Sequence, residues 1–238
     1  MIFKGLSGAV KLHLKNFISL VYPETCCACG SCLIDQETHL CLVCRAMLPQ
    51  TRFHKQKENQ LSRIFWGRQP VETGTALYYF HKKGKVQRVI HQFKYKGNIR
   101  LGNYLGKILG QNMAQSEHYS PVNCVIPVPL HPAKERKRGF NQSAVIAEGI
   151  ASSMKIECRT DLLIRSKHTE TQTKKDRFHR WKNVSSVFET PNPVLLENKS
   201  ILLVDDVITT GATLEACAEK LLEVKGVRVW IATLALTD

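Results

Sequence analysis

Val86, Val89, Ile90 and Phe93 fall at i, i+3, i+4 and i+7, the spacing that places four apolar side chains on one helical face. Leu101, Leu105, Ile108 and Leu109 mark a second helix beyond Gly97. Gly102, Gly106 and Gly110 recur every four residues along it, a bare stripe that implies close packing against a neighbouring element. A strand is predicted before these helices, at Thr75–Phe80. The pattern changes at Cys124. Val125-Ile126-Pro127-Val128-Pro129-Leu130 reads as a strand that ends in a proline-shaped loop, and Ala144–Met154 as a helix with Val145, Ile146, Ile150 and Met154 on one side. Leu162–Arg165 is short and extended. Ile201–Val204 is continuously apolar, as in a strand buried on both faces of a parallel sheet. Thr213–Val224 is a helix with Leu214, Ala218, Leu221 and Leu222 inward, and Val227–Leu236 a last strand. Strands alternating with helices predict an α/β domain, a mostly parallel sheet flanked by helices.

The first 74 residues do not share this alternation. Leu6, Val10, Leu12, Leu14, Phe17, Ile18 and Val21 are spaced helically with lysines between them, which predicts an amphipathic helix over residues 1–21, packed on its own protein. Residues 22–50 are cysteine-rich, residues 51–74 are polar and read as a linker, and residues 75–238 hold the α/β domain. Six of the nine cysteines lie between Cys26 and Cys44. A secreted disulfide scaffold spreads its cysteines more evenly and follows a signal peptide. Lysines and His13 interrupt every early apolar run, and no apolar stretch approaches the roughly 20 residues of a membrane span. The expectation is a cytoplasmic protein in a reducing compartment, with no integral membrane association. The formal charge of +14 points to a polyanionic partner or phosphorylated ligands.

Two segments carry recognisable chemistry. Cys26-x-x-Cys29 and Cys41-x-x-Cys44 are paired knuckles, the pattern of a tetrahedral structural Zn²⁺ site with four thiolate corners. Cys29-x-x-Cys32 is an alternative first pair, Cys27 lies within the same cluster, and His39 is a possible substitute ligand. Near the C-terminus, a buried strand delivers Asp205 and Asp206 to its end, where open α/β sheets place ligands. Thr209, Thr210, Gly211, Ala212 and Thr213 then turn into a helix whose first N–H groups form an anion site. The carboxylates can accept hydrogen bonds from ribose hydroxyls or hold Mg²⁺. The glycine-lysine loop of the nucleoside triphosphatases and the three-glycine dinucleotide loop are both absent from this sequence.

The run Ile201–Thr213 resembles the phosphoribosyl pyrophosphate (PRPP) signature of type I phosphoribosyltransferases. Further segments are similar to the narrower ComF family of competence-associated proteins. These are Pro127-Val128-Pro129-Leu130-His131-Pro132 with Arg136-Lys137-Arg138-Gly139-Phe140-Asn141-Gln142, then Thr169-x-x-Gln172-Thr173 with Arg177 and Asn183-Val184, then Lys94-Tyr95-Lys96-Gly97, and the early cysteine cluster. The resemblance spans roughly residues 22–236. It implies a type I phosphoribosyltransferase-like fold with a small N-terminal zinc-knuckle module, and it favours Cys26 and Cys29 as the first zinc pair. It implies that Asp205 and Asp206 are the catalytic and PRPP-binding carboxylates, joined by Thr209–Thr213. It makes His131–Gln142 a pyrophosphate loop, with Arg136, Lys137, Arg138, Asn141 and Gln142 on the leaving group. It also makes Arg165–Asn183 a flexible lid that includes Thr169, Gln172, Arg177 and Asn183.

The function that follows is binding of PRPP with Mg²⁺ and of single-stranded DNA, as an accessory of DNA uptake and natural transformation. Phe178 and Trp181, interleaved with the lid's charges, suit a single strand gripped by stacking and charge. The alternative is a catalytic phosphoribosyltransferase that displaces pyrophosphate from the ribose C1 with a small-molecule acceptor. A PRPP sensor without turnover is a third reading. Many base-salvage relatives build a hood over the base from beyond the last strand, and here the expectation is that a hood comes from the N-terminal half.

Overall fold

The computed structural model describes residues 23–34, 36–165 and 187–237. The expected helix at residues 1–21 lies outside them. The chain divides into two compact units between Leu48 and Pro49.

The small unit is built on tight turns. The Cys26 N–H donates to the Ser31 carbonyl (2.8 Å), and the Gly30 N–H to the Cys26 carbonyl (2.9 Å). Gly30 has φ +84°, a conformation that glycine adopts at no steric cost. Thr25 and Cys32 form an antiparallel bridge across this turn. Helix α1 (Leu42–Met47) follows, and its N-cap is Cys41, whose sulfur accepts from the Cys44 N–H.

The large unit is a five-stranded sheet of strand order β1-β7-β6-β2-β3, built from β1 (Gly74–Phe80), β2 (Cys124–Pro127), β3 (Glu157–Cys158), β6 (Ser200–Ile208) and β7 (Arg228–Thr237). All four pairings are parallel. A separate antiparallel ribbon pairs β4 (Ile164–Arg165) with β5 (Phe188–Glu189). The central strands are apolar on both faces because helices cover both: Val125, Ile126, Ile201–Val204 and Val229–Ala232 are all buried. The remaining helices are α2 (Gln60–Arg63), α3 (Lys85–Tyr95), α4 (Ile99–Ala114), α5 (Pro132–Arg138), α6 (Gln142–Met154) and α7 (Ala212–Leu222). Among the described residues, no helix is long and apolar enough to cross a membrane.

Two expectations change. Residues 51–74 do not form a bare linker. Asn59 caps α2, accepting from the Leu61 (3.0 Å) and Ser62 (3.1 Å) N–H groups, while its amide donates to the Gly74 carbonyl (2.9 Å). Phe53, Leu61 and Phe65 from this segment are buried in the core. Phe53 stands alone, and Leu61, Ile64 and Phe65 repeat over a single turn, too short a run to stand out in a polar segment. The segment Pro132–Arg138, expected as loop, is the short helix α5, started by Pro132 and ended by Gly139 at φ +82°.

The glycine stripe does what its spacing implies. Gly102 makes room for the Phe93 ring of α3, and the other two lie against α6, where a Cβ on Gly106 would strike the Ile146 carbonyl oxygen and one on Gly110 would come within 2.8 Å of the Ile150 carbonyl. On the facing helix, a Cβ on Gly149 would strike the Asn103 carbonyl. Backbone cannot move aside as a side chain can, so Gly106→Ala should lower stability by about 1–3 kcal/mol despite alanine's helix propensity. Urea denaturation of the variant, read as a lower midpoint at unchanged slope, checks this.

Candidate functional site

Strand β6 runs fully buried through Val204 and then presents two carboxylates at its end. The Asp205 Oδ1 accepts from the Ser143 hydroxyl (2.9 Å) and from the Asp206 N–H (2.9 Å). The Asp206 Oδ2 lies 2.8 Å from the Lys94 ammonium, and both side chains of that pair are largely buried. Neither partner was assigned a site role from sequence. Lys94 is 112 positions from Asp206 and Ser143 is 62 from Asp205, so only the fold shows that they meet. Lys94 does stand inside the Lys94-Tyr95-Lys96-Gly97 segment that carries the ComF resemblance, which was the available signal.

Burial is the largest influence on Asp205, and with the neighbouring Asp206 charge it pushes the carboxyl up to about 7. The Asp206 N–H, the Ser143 hydroxyl and Lys94 act in the opposite direction and do not cancel it. Hard carboxylate oxygens suit Mg²⁺ or the hydroxyls of a ribose diol, and a bound Mg²⁺ would offset the repulsion between Asp205 and Asp206.

Beyond Ile208 the chain turns through Thr209 and Thr210, both exposed, to Gly211 at φ +80°. Gly211 is the N-cap of α7. The first N–H groups of α7 therefore have no acceptor within the helix, and the exposed Ala212 and Thr213 lie at its first turn. Gly211 is also pinned from behind. A Cβ there would come within 3.0 Å of Ile64 and 3.4 Å of Phe65, from the segment after α2.

The basic segment after β2 sits next to the carboxylates through α6. Asn141 caps α6, accepting from the Ser143 N–H (3.0 Å), and its amide donates to the Val128 carbonyl (3.1 Å). The Arg138 guanidinium donates to the Gln142 side chain (2.7 Å). Asn141, Gln142 and Ser143 thus link the β2 end, Arg138 and Asp205 in three consecutive positions. Arg136 and Lys137 project from α5, which has no buried residue. Thr169, Gln172, Arg177 and Asn183 lie outside the described residues. The β4–β5 ribbon brackets that segment, with the Arg165 guanidinium 5.5 Å from the centre of the Phe188 ring.

In the small unit the sulfurs of Cys26, Cys29, Cys41 and Cys44 all lie within 4.8 Å of one another. The Cys29–Cys41 separation is 3.8 Å, which equals the edge of a tetrahedron with Zn–S distances of about 2.3 Å. No disulfide joins any described cysteine. The Ser31 hydroxyl and N–H hold Cys29 down at about 6, while burial and the adjoining thiols push Cys44 up to about 12. A divalent cation would offset that mutual repulsion. The Cys41 N–H donates to the Cys26 sulfur (3.3 Å) and the Cys44 N–H to the Cys41 sulfur (3.4 Å), contacts that favour thiolates. Cys27, Cys32 and His39 are not part of this four-sulfur group.

Residues 141–237 match the phosphoribosyl transferase domain family. Competence protein F of Haemophilus influenzae is 29% identical over 150 residues, which are 60% of this chain and 65% of that protein. The chain is thus similar to ComF-type competence proteins with a phosphoribosyltransferase-like domain. DNA utilization protein YhgH of Escherichia coli K12 is 26% identical over 147 residues, 60% of this chain and 64% of the relative. The match thus spans just under two thirds of these curated relatives. Among solved structures, the glutamine PRPP amidotransferase of B. subtilis, complexed with ADP and GMP, aligns at a TM-score of 0.41 and 21% identity, covering 60% of this chain and 30% of that one.

The raised Asp205 carboxyl has a consequence for stability. Its ordinary value is 3.8, and a value near 7 means that the folded state holds the proton more tightly than the unfolded state. Asp205 therefore costs nothing near pH 4, and its cost grows as pH rises from about 4 to 7. Asp205→Asn keeps an oxygen for Ser143 and removes the charge. It should be more stable than wild type by about 1–3 kcal/mol at pH 8, a gap that closes by pH 4. Thermal melts of both proteins across that range measure it.

Proposed function

We propose that the protein binds PRPP with Mg²⁺ at Asp205, Asp206 and the Thr209–Thr213 turn. We further propose that it binds single-stranded DNA, as a cytoplasmic accessory of DNA uptake and natural transformation. The observation that carries the ribose-phosphate half is one short stretch of backbone. Two partly buried carboxylates lie near the C-terminal end of β6, and Gly211 opens a helix five residues after Asp206, so diol acceptors and an anion cradle stand close together in the chain. Arg138, tied to Gln142 at the start of α6, supplies a planar cation suited to a pyrophosphate group. In this reading Asn141 and Gln142 hold the pyrophosphate segment in place, and Arg136 and Lys137 add mobile positive charge. Support for the DNA half comes from the formal charge of +14 and from relatives named for competence and for DNA utilization. The cysteine module, residues 22–50, is assigned a structural Zn²⁺ held by Cys26, Cys29, Cys41 and Cys44, because four thiolates close the coordination shell and leave no position for substrate.

A catalytic reading has one observation in its favour. Ser143 and Lys94 fix both carboxylates at the strand end, the preorganisation that displacement of pyrophosphate from the ribose C1 would use. Asp205 and Asp206 would then serve as catalytic residues as well as binding ones.

Calorimetry with Mg²⁺ and PRPP tests the shared premise. Wild type should bind, and the Asp205→Asn, Asp206→Asn double variant should lose at least a hundredfold in affinity. Equal isotherms would remove the ribose-phosphate reading. Pyrophosphate release in the presence of an acceptor separates enzyme from sensor. For the module, the purified protein should contain close to one zinc per chain, and Cys41→Ser with Cys44→Ser should lose the metal along with the ordered small unit.

A further inference from the structure

Residues 73–116 contain eight Lys and Arg and no Asp or Glu. Seven of the eight are exposed, and Lys94 alone turns inward to its ion pair with Asp206. An acid-free stretch cannot neutralise itself locally, so its field acts on whatever approaches. At the end of α3 this basic surface also carries an aromatic ring. Tyr95 follows Lys94 directly and is 65% exposed, although it is a large side chain beside a buried Phe93. The His91 ring lies 4.9 Å from it at 39°, and the Arg138 guanidinium lies 5.8 Å from its centre. Lys96 and Arg100 are exposed just beyond it.

Burying the ring would be favourable, and nothing among the described residues covers it, so its exposure has a cost. Aromatic rings interleaved with cations are the composition of surfaces that bind single strands. Bases stack on the ring or on a guanidinium plane, and ammonium groups take the phosphates. A protein partner would also accept the ring, but the groups shown against it are the His91 ring and the Arg138 guanidinium, and Lys96 and Arg100 follow in the chain around a single exposed apolar residue, Ile99.

We propose that the end of α3 is a single-strand subsite, in which Tyr95 stacks on a base while Lys96, Arg100 and Arg138 take the flanking phosphates. This rests on the single-strand half of the proposed function and assigns it a place. The Lys94–Asp206 pair fixes the end of α3 beside the carboxylates, so the subsite borders the ribose-phosphate site. Arg138 belongs to both, through Gln142 on one side and the Tyr95 ring on the other.

The test uses the full-length protein and a short oligothymidylate carrying one 2-aminopurine, whose emission is quenched on stacking against tyrosine. Free 2-aminopurine forms a second arm. Wild type should bind and quench the strand at low salt and bind the free base far more weakly. Tyr95→Ala should weaken strand binding about tenfold and abolish the protein-induced quench, and Tyr95→Phe should restore both. Trp66, which is also exposed and has Arg63 at 5.6 Å, is the competing platform. If wild type binds the strand and Tyr95→Ala binds and quenches equally, the subsite is overturned and the DNA reading stands. If the loss follows Trp66→Ala instead, the subsite is likewise overturned. If the free base binds as tightly as the strand, the phosphate contacts are wrong. Absence of any strand binding by wild type would remove the DNA reading itself.

Discussion

A carboxylate at the end of a fully buried strand is costly unless something compensates it, and much of the large unit is arranged around Asp205 and Asp206. The strand must be buried to sit at the centre of the sheet, so its last residues leave the core only partly solvated. Ser143 from the first turn of α6 and Lys94 from the last turn of α3 answer the two charges separately. Each of those helices is held in turn. Phe93, the neighbour of Lys94, is seated where Gly102 has no side chain, and α6 approaches α4 closely because Gly106, Gly110 and Gly149 allow backbone contact. The glycines thus set the depth at which Ser143 and Lys94 reach the carboxylates. Asp205 nonetheless keeps a raised carboxyl, because one hydroxyl and one N–H do not replace the water it has lost. A site that remains under-compensated in the free protein is one in which a bound cation and a ribose diol have most to contribute.

The same contrast separates the two cation classes in the large unit. Lys94 is immobilised against a carboxylate and contributes to local order. The exposed cations of residues 73–116 have no acid within their own stretch, and those of α5 outnumber its single acid, Glu135, so both contribute to the long-range field. The first kind shapes where a small anion binds, and the second sets how fast and how salt-sensitively a polyanion arrives. Both kinds occur within a few residues at the end of α3, where the two proposed ligands, of very different size, would meet adjoining surfaces. The small unit shows a third solution to crowded charge. Four thiols are drawn together by turns and by N–H groups of Cys41 and Cys44, and the shell they form has room for a cation and nothing else.

Much of this was legible from the sequence, and the parts that were not share a reason. The alternation of strands and helices, the buried run at Ile201–Val204 and the glycine stripe are local signals, in which period and composition report burial directly. The turn from β6 into α7 was legible because Asp, Thr and Gly fall close together, and Gly211 at φ +80° opens the helix there. The segment 51–74 reads as a linker because Phe53 stands alone, because Leu61 and Phe65 span a single turn, and because Asn59 does its work through a carbonyl of Gly74. Lys94 and Ser143 escaped assignment for a related reason. A side chain that matters through a contact across the fold carries no local mark, and a lysine in a basic stretch resembles its solvated neighbours.

The helical form of residues 132–138 bears on how the site works. A loop of the same composition could wrap its cations around a pyrophosphate, whereas a short helix ended by Gly139 holds them at fixed spacing. Its basic last turn then faces in a set direction, and Arg138 is further committed by its bond to Gln142. Arg138 is therefore the one preorganised cation of that segment, while Arg136 and Lys137 keep their rotamer freedom on the exposed face. Preorganised and mobile cations suit different tasks: the first orients a group, and the second follows one that moves. A segment offering both, at the junction of β2, α6 and the carboxylates of β6, would suit the proposed pyrophosphate contact, which calls for one cation to orient the group and others to follow it.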